Sequence, residues 1–262
     1  MVGRDIDLSP RRSRVAAQET LLQLDKVGLT KDGIERIANI SLSVRAGEIV
    51  GIAGVSGNGQ RELAEIVAGL QAPTSGEILI NGARVNGIGT RKVREAGLEY
   101  VPEDRLGTGL APSLSIVDNL VLTRDRGFLV DRKSALVEAE AFIKQLEIKT
   151  PHAHTATRKL SGGNSQKVLL AREIFGAGDN SRVLVVCSPT RGLDVGAVEA
   201  VHKLLDEARS SGKAVLLISE DLDEVLTLAD KVLVLYRGSV VHEVAGHEVD
   251  VEAVGLAMAG LS

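Results

Sequence analysis

The chain has 262 residues, of which 44% are hydrophobic and 25% are charged, an ordinary balance for a soluble globular protein. Its formal net charge of −4 argues against a nucleic-acid-binding protein, because neutralising phosphates requires a concentrated basic face. It contains no apolar run of the roughly 20 residues that a membrane-spanning helix needs. We therefore expect a cytoplasmic protein that reaches a membrane only through a partner.

The first third of the chain predicts a small β layer. Residues 1–18 carry charges with little periodicity and are expected to be a linker or tail. Alternating apolar and polar residues in 20–27 and 38–44 predict an antiparallel strand pair. Residues 77–82 predict a further strand that ends at an Asn-Gly turn.

A glycine-rich loop follows the apolar run at 48–53 and precedes a helical pattern. Its candidate ligand-binding residues are Gly54, Gly57, Asn58, Gly59, Gln60 and Arg61. The glycines permit a tight turn in which backbone N–H groups and a helix N-terminus converge on one anion. The P-loop pattern G-x-x-x-x-G-K-[ST] is met at Gly54 and Gly59 and then fails. Gln60 replaces the lysine that reaches the phosphates, and Arg61 replaces the hydroxyl that holds Mg²⁺.

The remaining pattern divides the chain into four further segments. Residues 19–104 combine the β layer with the first part of the P-loop core. Residues 105–160 carry apolar residues at helical spacing and predict an inserted α-helical subdomain. Residues 161–236 alternate strand and helix patterns, which predicts a parallel sheet wrapped by helices with ligands at the carboxyl ends of its strands. Residues 237–262 are grouped as a C-terminal tail.

A second anion cradle is predicted where Ser161, Gly162 and Gly163 open a helix. A hydroxyl and exposed N–H groups at a helix start suit an anion, although the same residues fit an ordinary N-cap with a flexible turn. A glycine loop stands upstream, and Pro189-Thr-Arg-Gly-Leu-Asp194 follows a buried strand downstream. The three motifs in this order favour a nucleotide-binding protein.

With these motifs the chain resembles the ATP-binding cassette ATPases, and the resemblance runs from Thr20 to Gly260. Residues 160–167 match the signature motif of that family, and 189–194 match the segment that ends in the D-loop. Within the family the chain is similar to the second, C-terminal ATPase half of bacterial importers for simple sugars and nucleosides. The segments that carry this finer resemblance are 57–60, 100–105, 189–197 and 218–224. The resemblance implies an α/β fold, a P-loop NTPase core of mostly parallel sheet with a small antiparallel β layer and an inserted α-helical subdomain.

The ends of the chain carry a related expectation. Met258-Ala-Gly260 resembles the Met-x-Gly with which such importer halves close, and Met1-Val-Gly3 resembles the same ending of a preceding half. We therefore expect the natural protein to hold two fused cassettes, of which this chain is the second.

The resemblance also implies which positions catalyse hydrolysis, and this chain departs from the family at each. Glu103 stands at the Q-loop position, Cys187 and Ser188 at the acidic pair of Walker B, and Glu220 at the switch histidine. No aromatic residue precedes the glycine loop to stack on adenine. We expect no catalytic residue and no metal site within this chain, and a buried, unreactive side chain at its single cysteine, Cys187.

These observations predict a degenerate cassette in an asymmetric pair. Ser161, Gly162 and Gly163 are expected to complete the ATP site of a partner cassette in trans, Asp194 to order the seam, and residues 103–105 to relay closure to a membrane permease. ATP and Mg²⁺ are the expected cofactors, with Mg²⁺ mainly at the partner's site. The expected partners are the first ATP-binding half or a second cassette, permease subunits and, indirectly, a periplasmic or lipoprotein substrate-binding protein, but no nucleic acid. The expected location is the cytoplasmic face of the membrane.

Two alternatives stay open at this point. One is a self-sufficient ATPase in which Arg61 and Glu103 replace the missing groups, and the other is a nucleotide-sensing or structural module without a transporter. Under the favoured hypothesis the cassette pair hydrolyses ATP and the isolated domain shows little activity. The transported substrate is not encoded in any motif of this chain.

Overall fold

A computed structural model describes residues 18–123, 131–175 and 180–261, and the fold is given for these ranges. The predicted linker at 1–18 therefore lies, except for its last residue, outside the described residues. The strands are β1 (Thr20–Lys31), β2 (Ile34–Arg45), β3 (Ile49–Ala53), β4 (Ser75–Ile80), β5 (Ala83–Arg84), β6 (Leu98–Val101), β7 (Val183–Cys187), β8 (Ala214–Ser219), β9 (Lys231–Tyr236) and β10 (Ser239–Ala245). The helices are α1 (Gln60–Val67), α2 (Thr90–Glu95), α3 (Ile116–Val121), α4 (Arg132–Gln145), α5 (Gly162–Ile174), α6 (Val195–Ser210), α7 (Leu222–Leu228) and α8 (Val251–Met258).

The predicted β layer is an antiparallel sheet with the strand order β2-β1-β4-β5. The β1–β2 hairpin turns at Asp32 and Gly33, whose φ angles of 54° and 74° are those of a type I′ turn. Asn81 and Gly82 repeat this conformation between β4 and β5, with φ angles of 49° and 76°. The apolar side chains of this layer pack over α1, and Leu22 is fully buried among them.

The second sheet has the order β10-β9-β3-β8-β7-β6, and all neighbours are parallel except the antiparallel pair β9 and β10. All residues of the central strand β3 are buried, because helices and the β layer cover its two faces. The loop after β3 leaves the sheet at the same edge as the carboxyl ends of β6, β7 and β8. Ligand sites of open parallel sheets form at this edge.

The predicted helical subdomain contains α3 and α4, which pack beside α5. Phe142 of α4 stacks on Phe175, which follows α5, with ring centroids 5.7 Å apart. Asn119 of α3 is fully buried, and its side-chain oxygen accepts a hydrogen bond from the Ala111 N–H over 2.8 Å. This amide satisfies buried backbone groups where the lobe joins the core.

Residues 237–261, the described part of the segment grouped from the sequence as a C-terminal tail, contain β10 and α8, which pack on the core. Val254 and Ala257 of α8 are buried, and Gly260 approaches the ring of Tyr236 so closely that a Cβ atom would lie 2.3 Å from the ring carbon Cζ. The word tail therefore does not describe the segment, because its apolar residues complete the core beside β9.

A buried charge cluster lies at the end of the large sheet opposite the glycine loop. Arg172 donates to Glu173 over 2.5 Å, and Arg94 donates to Glu173 over 3.0 Å and pairs with Glu99. Burial, and then the hydrogen bond to Glu173, raises the pKa of Glu99 to about 9. The neighbouring arginines stabilise the charge on Glu173, whose pKa is lowered against the effect of its burial. At neutral pH the two carboxyls therefore hold one proton, which resides on Glu99.

This proton makes the stability of the protein depend on pH. The folded state keeps the Glu99 proton up to about pH 9, whereas the unfolded chain releases it near pH 4.5. The contribution of Glu99 is therefore complete below the unfolded pKa and is lost as the pH rises toward the folded pKa. We expect the free energy of unfolding to fall by about 1.4 kcal/mol per pH unit from this group alone. Urea unfolding at pH 6, 7, 8 and 9 measures this slope.

The substitution Glu99→Gln keeps a donor for Glu173 but removes the titration, so its profile should be flatter. Glu95→Gln is the matched control, because Glu95 is exposed and pairs only with Arg91 at the surface. Parallel profiles for Glu99→Gln and the unsubstituted protein would contradict the protonation of Glu99.

Candidate functional site

The glycine loop has the backbone geometry of an anion cradle. Gly57 and Gly59 adopt φ angles of 86° and 106°, in the region that favours glycine. Gly59 is the N-cap of α1 without a side-chain cap, and the first helical bond is donated by Leu63 to the Gly59 carbonyl over 2.9 Å. The N–H groups of the preceding helical residues therefore have no acceptor inside the helix and face outward as donors. A Cβ at Gly59 would lie 2.9 Å from the Arg36 carbonyl oxygen, so this position admits only glycine.

The side chains that follow the loop do not supply a free cation. Gln60 is 8% exposed, and its Nε2 donates to the Val55 carbonyl over 2.9 Å, within the loop itself. The Arg61 side chain is 83% exposed and its Nε lies 2.7 Å from Glu65, one turn further along α1. The loop thus keeps its shape through a neutral amide, while its guanidinium is already paired.

A cavity of about 850 Å³ opens between this loop and the ends of β6, β7 and β8. The predicted positions that line it together are Gly57, Gly59, Gln60, Arg61, Glu103, Ser188 and Glu220. Two predicted loop residues stand behind it. Asn58 accepts a hydrogen bond from the Arg237 N–H over 3.0 Å, and Gly54 packs against Gln60 and the Leu235 carbonyl. These two residues hold the loop rather than face the cavity.

The end of β7 carries a neutral thiol where the family has an acidic pair. Cys187 is buried, and this burial raises its pKa to about 12. Tyr100 lies beside the thiol in the cavity wall, and burial raises the pKa of Tyr100 as well. Ser188 follows with φ of 41° and donates its N–H to the Ile218 carbonyl over 2.8 Å.

This donor set does not fit Mg²⁺, which requires oxygen ligands in octahedral geometry. A protonated thiol and a guanidinium occupy the two positions from which the family would hold the ion. Across the described ranges no group of three His, Cys, Asp or Glu side chains is arranged to hold a metal. The expectation of no metal site within this chain stays a prediction.

The remaining acids of the wall are engaged or remote from a metal role. Glu103 forms an ion pair with Arg191 in which both side chains are exposed, so its charge is compensated at the protein surface. Glu220 lies exposed at the end of β8, next to Ser219, whose hydroxyl donates to Glu224 over 2.6 Å. The helix cap of α7 is provided by Asp221, which accepts bonds from two N–H groups of the first turn.

The second predicted cradle lies outside this cavity. Ser161 is the N-cap of α5, and its hydroxyl accepts a hydrogen bond from the Asn164 side chain over 2.8 Å. Ser161 is exposed, Gly162 is half-buried and Gly163 is buried against α6. None of the three lines the cavity of the glycine loop. Asp194 is exposed and caps α6 by accepting from the Ala197 N–H over 3.0 Å.

Sequence reasoning missed the role of two arginines and one tyrosine at this site. Tyr100, Arg105 and Arg191 all line the cavity. The signal was present, since Arg105 and Arg191 follow the parallel neighbours β6 and β7, whose ends meet at one edge. The contact between Arg105 and Arg191 depends on the conformation of the two loops after these strands. No hydrophobic periodicity in the sequence predicts that conformation.

The neutral thiol leads to a measurable difference in reactivity. At pH 8 a thiol with a pKa near 12 is about 10⁻⁴ ionised, whereas an ordinary cysteine is about one fifth ionised. We expect a disulfide reagent to modify folded Cys187 about 10³-fold more slowly than the urea-unfolded chain. Because the chain has one cysteine, the absorbance change reports this residue alone. Tyr100→Phe keeps the burial and should stay slow, while rapid modification of the folded protein would contradict a buried neutral thiol.

Gly162 and Gly163 of the second cradle should differ in their tolerance of substitution by alanine. A Cβ at Gly163 would lie 2.6 Å from the Ala197 Cβ, whereas a Cβ at Gly162 meets its nearest neighbour, Leu193, at 3.5 Å. Gly163→Ala should therefore destabilise the protein by about 1–3 kcal/mol through overpacking. Gly162→Ala is the matched control and should change stability by less than about 1 kcal/mol. Thermal unfolding checks this order, and equal midpoints would refute the close packing of α5 on α6.

Comparison with known proteins bears on what this geometry is for. The model of the ABC transporter family matches residues 37–190. Glucose import ATP-binding protein TsgD13 of Haloferax volcanii is 42% identical, over 99% of this chain and 48% of that protein. Guanosine import ATP-binding protein NupO of Bacillus subtilis is 40% identical, over 99% of this chain and 52% of that protein. The chain thus spans about half the length of the curated relatives that it matches.

Solved structures show the same fold. The dimeric ATP-binding cassette MJ0796, described in a post-hydrolysis state with ADP and Pi, superposes with a TM-score of 0.72 at 24% identity, covering 86% of this chain and 98% of that one. An ATP-binding subunit of an ABC transporter superposes with a TM-score of 0.76 at 20% identity, covering 92% of this chain and 100% of that one. These likenesses confirm the fold class expected from the sequence. Because the family model covers more than half of its residues, the chain belongs to the ABC transporter family and has the fold of the ATP-binding cassette.

Proposed function

We propose that this chain is the second of two cassettes in an importer of simple sugars or nucleosides, and that it completes the ATP site of the first cassette. The proposal takes its substrate class from its relatives, whose names describe import of glucose, guanosine and ribose. Its own glycine loop is a degenerate site, and a competent partner cassette performs the hydrolysis that drives import.

An asymmetry within the chain supports this division of roles. The cavity of the glycine loop combines a neutral Gln60, a protonated Cys187 and a Glu103 that is neutralised by Arg191. The second cradle keeps an exposed Ser161 at the start of the 13-residue helix α5. A cassette that completes its neighbour's ATP site but does not hydrolyse ATP at its own site keeps the residues of the second cradle. It loses the charged groups around its own glycine loop.

Magnitudes separate what this chain loses from what it keeps. Replacing lysine by Gln60 removes one charged hydrogen bond, about 1.5–3 kcal/mol or roughly 10–150-fold in affinity. Weak nucleotide binding to the glycine loop survives such a loss. Hydrolysis also needs a metal ligand and a carboxylate that activates water, the latter alone worth about 10²–10⁴ in rate. We therefore expect little turnover from this chain alone.

The second cradle supplies donors rather than reacting groups. In the pair, the Ser161 hydroxyl and the N–H groups of Gly162 and Gly163 donate to the γ-phosphate of ATP that the partner binds. The N-terminus of α5 adds a favourable dipole for this anion. The Mg²⁺ that accompanies this ATP is held by the partner cassette. Asp194 caps α6 at the seam and fixes the adjacent loop.

The remaining partners follow from the same assignment. Membrane permease subunits receive the closing motion, which the loop at 103–105 relays, and a periplasmic or lipoprotein substrate-binding protein delivers the cargo to them. The chain acts at the cytoplasmic face of the membrane as a peripheral domain. In the described part of the chain, no helix combines the length and apolar character that crossing a bilayer requires.

The alternative of a self-sufficient ATPase finds no support in the geometry of its two candidate groups. Arg61 is paired with Glu65, and Glu103 is paired with Arg191. Both ion pairs lie at the surface, where such pairs contribute little, so the pairing only partly opposes a role of these groups at a phosphate or a metal.

The test measures ATPase turnover of the chain joined to its partner cassette. Ser161→Ala should lower kcat/KM by about 10²-fold or more, because a preorganised donor to the transferred phosphate is lost. Gln60→Ala should leave turnover close to that of the unsubstituted pair, since Gln60 bonds only within its own loop.

Loss of the N-cap is a second effect of Ser161→Ala, worth about 1 kcal/mol of stability. Ser115→Ala is the matched control, because Ser115 caps α3 and accepts from the Asp118 N–H over 3.1 Å without contact to either cradle. The reverse ranking, with turnover sensitive to Gln60 and indifferent to Ser161, would defeat the assignment of roles.

A further inference from the structure

Arg105 lies where the loop after β6, the loop after β7 and the start of α5 come together. It begins a π-helical turn, Arg105–Gly109, directly after the Glu103 position. Its Nη2 donates to the Arg191 carbonyl over 3.1 Å. The same nitrogen would lie 3.6 Å from a Cβ at Gly162 and 3.6 Å from a Cβ at Gly192. The half-buried Arg105 side chain therefore lies beside Gly162, at the start of α5, while it is bonded to the loop after β7.

The turn that carries Arg105 is fixed at both ends. At its start, the Asp104 carboxylate accepts hydrogen bonds from the N–H groups of Leu106 and Gly107, the latter over 2.8 Å. At its end, the Gly109 carbonyl accepts from the buried Arg172 of α5 over 2.6 Å. Gly162 and Arg172 lie about three turns apart on α5. The π-helical turn thus braces this helix at its first residue and again near its end.

Two contacts join the loop after β6 to the loop after β7. On the cavity side, the Glu103 carboxylate pairs with the Arg191 side chain, while Arg105 bonds to the Arg191 backbone. The first contact joins two exposed side chains and is expected to contribute little. The second ties the Arg105 guanidinium, which lies beside Gly162, to the backbone of the loop after β7.

We propose that Arg105 is a positioning residue, which holds Ser161, Gly162 and Gly163 in place independently of any nucleotide in this chain's own cavity. The effect on turnover rests on the function proposed above, whereas the effect on the loop itself does not. Arginine suits this place because its guanidinium is flat and presents several fixed donors, so that it lies against two glycines while bonding to a carbonyl. A lysine at this position keeps the positive charge but has no planar group and no donors at fixed positions.

The first arm of the test uses amide hydrogen exchange of this chain alone. In segment 160–167 the Ser165 N–H is protected by a 2.9 Å bond to the Ser161 carbonyl. Arg105→Ala should accelerate exchange in this segment several-fold, because the start of α5 loses the side chain that lies between it and the loop after β7. The exchange rate of this segment in Arg105→Lys should lie between those of the unsubstituted chain and of Arg105→Ala.

Arg191→Ala is the matched control, because it removes the partner of Glu103 but keeps the backbone carbonyl that Arg105 binds. Exchange in segment 160–167 should change little in this variant. Exchange in the central strand β8 should be unchanged in every variant, which excludes a loss of global stability. Unchanged exchange at 160–167 in Arg105→Ala, or an equal effect of Arg191→Ala, would overturn the proposal.

The second arm measures turnover of the cassette pair as a function of ATP concentration. Arg105→Ala should lower kcat/KM by about 10–100-fold, because a donor displaced by an ångström loses much of its effect. Arg105→Lys should recover part of this loss, and Arg191→Ala should lose little. If Ser161→Ala is harmless, the proposed function fails and the exchange result stands alone. If Ser161→Ala is damaging while Arg105→Ala is not, the positioning role is refuted.

Discussion

The site depends on the hydrogen bonding of β3 along both of its edges. Its neighbours β8 and β9 are both parallel to it, so the three strands end at one edge and β3 leaves the sheet at its centre. The chain must then reverse within a few residues to lay α1 on the sheet. This reversal demands glycine at Gly57 and Gly59 and leaves the first N–H groups of α1 without acceptors. The shape of an anion cradle is thus a by-product of topology and persists whether or not the side chains support chemistry.

Several polar and charged side chains around the glycine loop bond to other groups of the same chain. Gln60 bonds within its loop, and Arg61 and Glu103 each have a partner of opposite charge. Cys187 stays neutral because burial opposes its ionisation. ATP hydrolysis also requires metal ligands, and the described residues include no group of three His, Cys, Asp or Glu side chains arranged to hold a metal. The start of α5 differs, since the exposed hydroxyl of Ser161 accepts hydrogen bonds from the neutral side-chain and backbone N–H groups of Asn164.

Sequence reasoning predicted most of the fold, because each strand and helix of the second half carries its own period. The alternation predicted for residues 161–236 is found as α5, β7, α6, β8, α7 and β9 in this order. It grouped β10 and α8 as a tail, since their burial depends on packing against β9 rather than on a strong local pattern. It located the cavity positions through motif order but not the Glu103–Arg191 pair or the proton on Glu99. These features arise where distant loops and strands meet, and no spacing along the chain records them.

The neutral thiol described at the end of β7 has a practical consequence for measuring how this protein moves. A protein with one inert cysteine is already a background for site-specific labelling, because a cysteine introduced at the surface is then the reactive one. Pairs of spin or fluorescent labels on the helical lobe and on the antiparallel sheet therefore report their separation without prior removal of native thiols. The same residue thus makes the molecule's own rearrangements accessible to distance spectroscopy.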